Sequence, residues 1–163
     1  MSMASLKGAF VGAGFADAVT HIQTGNVIFT SGKGEAALKK TIEGFIASEV
    51  GMKITALLRT AKELDAITKA NPFLPEATDT KRLYVTFLEK APDKAAVAAL
   101  KALSFAGDEF EVRGREVYLD YPNGAGLAKL SNAVLEKKLG VAGTARNWNV
   151  TTKLAELAKA HRR

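Results

Sequence analysis

The chain has 163 residues, of which 47% are hydrophobic and 25% charged, and it carries a net charge of +6. That balance is globular rather than disordered, and the absence of cysteine excludes disulfides, thiolate metal sites and cysteine nucleophiles. No apolar run reaches the ~20 residues that span a bilayer, and residues 1–8 lack the charged and apolar regions of a signal peptide, so a soluble cytoplasmic protein is expected.

In chain order, Ser2 is placed to cap a helix carrying Met3, Leu6, Phe10 and Ala13, which Gly14 stops. Residues 18–23 and 26–30 read as two strands joined by a tight turn at Thr24-Gly25, because Val19, Ile22, Val27, Ile28 and Phe29 favour a pleated surface. Gly34 opens a long helix with the stripe Leu38, Ile42, Phe45 and Ile46, closed by Gly51. Residues 54–59 read as a short apolar strand. Thr60 and Glu63 stand at capping-box spacing, so a helix with Leu64 and Ile67 follows and ends before Asn71-Pro72.

Beyond the loop at 71–80, Leu83, Val85 and Phe87 alternate on a strand face. Asp93 can cap a helix with Val97, Leu100 and Leu103, and residues 109–113 and 116–120 form a hairpin across Gly114. A helix over 127–139 is expected to stop at Gly140, followed by a strand over 144–148 and a last helix aligning Val150, Leu154, Leu157 and Ala158.

The order of elements repeats. Positions 34 and 127, 53 and 144, and 61 and 150 correspond, each pair a similar distance apart. The pattern predicts an α+β fold of two ferredoxin-like βαββαβ repeats, over 1–74 and 75–163, with the first lacking its opening strand. In such a sheet that strand lies inside, so its loss would leave two neighbours with unpaired ladder groups. A strand encoded upstream of Met1, or another segment filling the slot, is therefore expected.

Several of these segments are similar to one known set. Ile22-Gln23-Thr24-Gly25-Asn26-Val27-Ile28-Phe29 resembles the Tyr-Ile-Gln-Ser-Gly-Asn-Val-Val-Phe signature of the bacterial family known as domain of unknown function 1697. Asn71-Pro72-Phe73 resembles that family's Asn-Pro-Phe loop, and Gly114-Arg115-Glu116-Val117-Tyr118-Leu119 its Gly-Arg-Glu-x-Tyr-Leu hairpin. Lys129-Leu130-Ser131, Leu135-Glu136, Thr144-Ala145-Arg146-Asn147-Trp148-Asn149 and Lys153-Leu154 match its C-terminal pattern. The chain departs from the family twice. It lacks the opening Leu-Leu-Arg-Gly-Ile-Asn-Val-Gly-Gly, and Ala128 stands where the family's Gly-x-Gly-x-Ser-Lys-Leu loop has serine. The resemblance supports the fold and implies no established activity.

The inventory for catalysis is thin, and no catalytic residue, metal site or cofactor is assigned. Only His21 and His161 are present; without clustered ligands a zinc site is not expected. There is no G-x-S-x-G elbow. Asp108, Glu109 and Glu111 read as a solvated strand face.

Anion binding is the reading the residues favour. Glycines Gly124 and Gly126, ahead of Lys129, can turn backbone N–H groups toward a phosphate at a helix start, although their spacing is not that of a P-loop. At the C-terminal junction, Arg146 can grip a phosphate or carboxylate through two donors, with Asn147 and Lys153 alongside. Arg146 reads equally as the partner of a nearby acid, Trp148 as a core anchor and Asn149 as a helix cap. Gln23 and Asn26, beside the first hairpin turn, are further candidates. The expected function is a non-catalytic binding protein for a phosphorylated or otherwise anionic small molecule. The alternatives are a nucleic-acid-binding protein displaying Tyr84, Phe87 and Tyr118 for base stacking, or an enzyme using Lys129, Arg146 and Lys153 to stabilise charge on a phosphorylated metabolite.

Overall fold

The computed structural model describes residues 2–21, 25–74 and 79–161 as a mixed α+β protein with two small antiparallel sheets. The chain forms two compact units, Met1–Leu64 with Leu154–Arg163, and Asp65–Lys153.

In the first unit, α1 (Met3–Gly12) starts at Ser2 because the Ser2 hydroxyl accepts the Ser5 amide at 3.0 Å. Strands β1 (Val19–Thr20) and β2 (Val27–Ile28) pair antiparallel, Val19 opposite Ile28. They are shorter than the expected runs, and residues 22–24, Gln23 among them, lie outside the described residues. Helix α2 (Glu35–Phe45) buries Leu38 and Ile42, widens into a π-turn over Ile46–Val50 and ends at Gly51, whose φ of 78° is left-handed. A core of Leu6, Phe10, Phe15, Ile42 and Ile46 results. Phe10 stands edge-on to Phe45 at 4.9 Å between ring centres, and Phe15 similarly to Phe29 at 5.0 Å.

The strand expected over 54–59 does not form: these residues join no ladder among those described. A strand needs a neighbour for its backbone groups, whereas a helix satisfies its own. Ile54, Ala56 and Leu58 still turn to the core, so the strand's side-chain alternation survives without its hydrogen bonds. The Ala56 amide is held instead by the Glu43 carboxylate at 2.8 Å. Helix α3 (Ala61–Lys69) then opens on the expected capping box: the Glu63 amide donates to the Thr60 hydroxyl at 3.0 Å, and the Thr60 amide to the Glu63 carboxylate at 2.8 Å.

The second unit is more regular. It runs β3 (Leu83–Leu88), α4 (Lys94–Lys101), β4 (Glu109–Arg113), β5 (Glu116–Asp120), α5 (Asn132–Leu139), β6 (Gly143–Asn147) and the start of α6 (Trp148–His161), whose residues from Leu154 onward belong to the first unit. The sheet order is β4-β5-β3-β6, every pair antiparallel. Leu88, Val117 and Leu119 of the sheet pack with Leu100 of α4 and Leu135 and Leu139 of α5. On the opposite face the register aligns Glu111, Tyr118, Val85 and Arg146 in one row across the four strands. Tyr118 on that face donates its hydroxyl proton to the Ile67 carbonyl at 2.8 Å, and Arg113 lies 6.0 Å above its ring.

Two boundaries differ from the sequence expectation. The helix expected over 127–139 is a 3₁₀ turn at Ala125–Leu127 followed by α5 from Asn132, because the Ser131 hydroxyl caps it by accepting the Val134 amide. Helix α6 begins at Trp148, so Asn147 rather than Asn149 caps it, accepting the Val150 amide at 2.8 Å. Trp148 is buried, as its size and position imply.

Candidate functional site

Of the residues proposed from sequence, those of the C-terminal junction and the glycine loop belong to segments that leave the second unit's sheet at one end. Asn147 pairs with Tyr84 and Asp120 with Leu83, so the β6–α6 junction and the glycine loop after β5 both leave the sheet beside the start of β3. Arg146, Asn147 and Lys153 belong to the junction, while Gly124, Gly126 and Lys129 belong to the loop.

Within the junction the roles separate. The Arg146 guanidinium is half-buried, and its Nη1 donates to the Thr144 hydroxyl at 2.7 Å and the Ala145 carbonyl at 2.8 Å. Thr144 and Arg146 share a sheet face because they stand two apart on a strand. Burial lowers the Arg146 pKa from its ordinary value, yet a guanidinium keeps its charge. The side chain of Asn147 has one oxygen committed to the α6 cap. Lys153 is exposed on α6. Asn149 accepts from the Thr80 hydroxyl at 3.4 Å while its carbonyl accepts from the Thr152 hydroxyl. Only Arg146 combines charge, partial burial and fixed geometry.

The glycine loop is organised differently from a phosphate cradle. The amides of Lys129 and Leu130 both donate to one oxygen of Asp108, at 2.8 and 3.1 Å. The Leu127 and Ala128 amides turn back onto the carbonyls of Gly124 and Ala125. A carboxylate of the protein thus already takes two of the amides nearest Lys129. Gly124 holds a left-handed φ of 81°, so its conformational freedom serves the turn itself. The Lys129 side chain is exposed.

Sequence reasoning missed Arg82 and Asp120. Arg82 straddles the Asp120 carboxylate, Nε to Oδ1 at 2.9 Å and Nη2 to Oδ2 at 3.0 Å, with Asp120 buried. Nothing in the spacing of two residues 38 apart announces a bidentate pair. Of the remaining candidates, Asn26 is buried in the hairpin, its side-chain amide reaching the His21 carbonyl at 3.5 Å and its own carbonyl accepting the His21 amide. Gln23 lies outside the described residues. The aromatic candidates for base stacking face inward: Tyr118 and Phe87 are buried, and Tyr84 packs on Tyr121 at 5.3 Å. Burial raises the Tyr118 phenol to about 12, with Glu116 adding to the effect, and raises Tyr121 as well. Among the described residues no group of three or more histidines and carboxylates is placed to hold a metal ion, and no helix is long and apolar enough to cross a membrane.

Two units, one with a four-stranded antiparallel sheet backed by helices, define a mixed α+β protein whose candidate site is a strand-to-helix junction. The chain belongs to the family of proteins of unknown function DUF1697, whose model matches residues 1–118. The C-terminal motifs beyond Leu119 lie outside that match. No curated protein matches the chain. Its fold is similar to that of a conserved bacterial protein from Streptococcus pneumoniae, with a TM-score of 0.75 and 18% identity, covering 98% of this chain and 89% of that one. At that identity the likeness is one of fold alone.

Proposed function

We propose that this is a non-catalytic, cytoplasmic protein that binds an anionic small molecule, with Arg146 supplying the charge. One observation carries the reading: a guanidinium is half-buried on a sheet face and oriented by Thr144 and the Ala145 carbonyl. The planar fork of a guanidinium suits phosphate or carboxylate. Lys153, one α-helical segment away, adds positive potential. Asn147 acts through the cap that fixes where α6 begins. The Gly124–Lys129 loop contributes only the exposed Lys129 side chain, since Asp108 takes two amides there. For nucleic acid, the net charge is the remaining support, because the aromatic side chains that would stack are turned inward.

The same proposal includes the origin of the fold. The two halves, 1–74 and 75–163, are copies of one ferredoxin-like βαββαβ unit, the first without its opening strand. Supporting this, α2 and α5 both end at a left-handed glycine, Gly51 and Gly140, and both are followed by an extended segment and a capped helix.

Thermal unfolding with inorganic phosphate, pyrophosphate and phosphorylated metabolites tests the binding reading. A ligand at 100 times its Kd is expected to stabilise the protein by about 2.7 kcal/mol. Arg146→Lys, which keeps the charge and loses the fork, should shrink that shift. A set of ligands that leaves both proteins unshifted overturns the proposal.

A further inference from the structure

We infer that Asn123 is a site of spontaneous main-chain modification, at which the chain converts its own asparagine to isoaspartate. The reaction is intramolecular. The Gly124 backbone nitrogen attacks the side-chain carbonyl carbon of Asn123 and a carbon–nitrogen bond forms. The bond from that carbon to Nδ2 breaks, and the Gly124 amide proton departs with Nδ2 as ammonia. Water then opens the resulting succinimide. Opening at one carbonyl gives aspartate; opening at the other leaves the main chain running through the side chain, as isoaspartate.

The step needs a carboxamide that is free to move, a following residue that does not crowd the ring, and a backbone N–H that can be released. Asn123 is exposed, and its carboxamide makes no hydrogen bond with the described residues. The next residue is glycine, and the space where its Cβ would stand is open. The turn itself follows from the sequence. Pro122 sets φ for its second position, and Asn123 and Gly124 suit the third and fourth. The Gly124 amide closes the turn by donating to the Tyr121 carbonyl at 3.0 Å. That bond is a brake, and a weak one. An exposed backbone hydrogen bond contributes little net free energy, so it slows the attack by roughly two- to tenfold relative to a free peptide. Residues 122–127 are exposed throughout, so the turn opens locally.

The other five asparagines of the chain are each blocked. Asn71 is buried and precedes Pro72, which has no amide hydrogen. Asn26 is buried and precedes β-branched Val27 in β2. Asn132 donates to the Gly143 carbonyl at 3.0 Å and accepts the Thr86 hydroxyl at 3.1 Å. Asn147 accepts the Val150 amide at 2.8 Å, and Asn149, inside α6, accepts the Thr80 hydroxyl at 3.4 Å. Only Asn123 combines a free carboxamide with a following glycine.

Isoaspartate lengthens the main chain by one methylene and adds a carboxylate, lowering the net charge of +6 by one. Both changes fall between β5 and the Lys129 and Leu130 amides that Asp108 holds. The loop therefore records the age of each copy of the protein.

The full chain, aged in mildly alkaline buffer, is digested with trypsin and mapped by mass spectrometry. Cleavage after Arg115 and Lys129 releases residues 116–129, which contain Asn123 and no other asparagine. This fragment is expected to gain the mass difference between O and NH, within about tenfold of the rate of a synthetic peptide of the same sequence. The fragments bearing the other asparagines should stay unchanged over the same period. An isoaspartate-directed carboxyl methyltransferase, supplied with S-adenosylmethionine, should label the 116–129 fragment alone. Asn123→Gln, which must close a larger and more slowly formed ring, should neither gain mass nor accept the label. A 116–129 fragment that keeps its mass while the synthetic peptide converts overturns the proposal. So does a gain spread evenly over all the asparagine-bearing fragments. A gain in mass without label overturns the rerouted main chain and leaves aspartate as the product. None of these outcomes bears on Arg146.

Discussion

The two units contain comparable helices and very unequal sheets. In the second, β3 sits between β5 and β6 and is paired on both sides; in the first, a ladder of two residues per strand is all that forms among the described residues. Yet Ser2, Thr60 with Glu63, Ser131 and Asn147 all cap their helices, and Gly51 and Gly140 both end them. Helix boundaries are settled within a few residues of sequence, so they form whether or not the sheet is complete. Strands depend on a neighbour from elsewhere in the chain. In the first unit, residues 54–58 keep a strand's side-chain alternation while joining no ladder among the described residues.

Truncating the two cores sharpens this contrast most. Leu119, fully buried on β5, should lose about 2–5 kcal/mol on mutation to alanine, because a cavity opens in a sheet braced on both sides. Leu58→Ala, in the unpaired segment, should lose about 1 kcal/mol. Denaturant unfolding followed by circular dichroism measures both, and equal losses would break the comparison. Next comes Gly143→Ala. A Cβ there would approach Leu88 Cδ2 and Thr86 Cγ2 to 3.0 Å and the Phe87 carbonyl to 3.2 Å, so a loss of about 1–3 kcal/mol is expected. If Gly143→Ala proves neutral, the packing between β3 and β6 is looser than the distances imply.

The smallest effect concerns pH. Within the first unit, Asp17 accepts the Thr30 amide at 3.2 Å and meets His161 Nε2, at the end of α6, at 3.0 Å. Hydrogen bonding from Thr30, and then the His161 contact, hold the Asp17 carboxyl below its ordinary value of 3.8. A lowered carboxylate contributes stability above its unfolded value and loses it as pH falls through the folded one. Asp17→Asn should therefore lower the Tm by about 1 °C at pH 7, and the difference should vanish in acid below 3.8. A gap between the two proteins that widens in acid would contradict the sign.

The sequence displayed the Ser2 cap, the Thr60–Glu63 capping box, the closing glycines Gly51 and Gly140, the Gly114 hairpin and the buried Trp148, because each depends on neighbours in the chain. It placed the α6 cap at Asn149 rather than Asn147, and Asp93 makes no side-chain bond to α4. It overextended α5, since the apolar residues Leu127 and Leu130 mimic a helical stripe while Ser131 sets the true start. It suggested a cradle at Gly124 to Lys129 and could not show Asp108, 21 residues away, reaching into it. The Arg82–Asp120 pair was hidden for the same reason. Arg146 was visible as a residue type, but its orientation by Thr144 required the strand that places the two on one face.

The aromatic residues are also divided between the units. Phe10, Phe15, Phe29 and Phe45 fill the first core, while the chain's single tryptophan and all three tyrosines, Tyr84, Tyr118 and Tyr121, lie in the second. Light excited at the indole or phenol bands therefore reads one unit only. An emission-monitored melt follows the four-stranded half, and the phenylalanine-filled half unfolds unseen unless a backbone probe is recorded beside it.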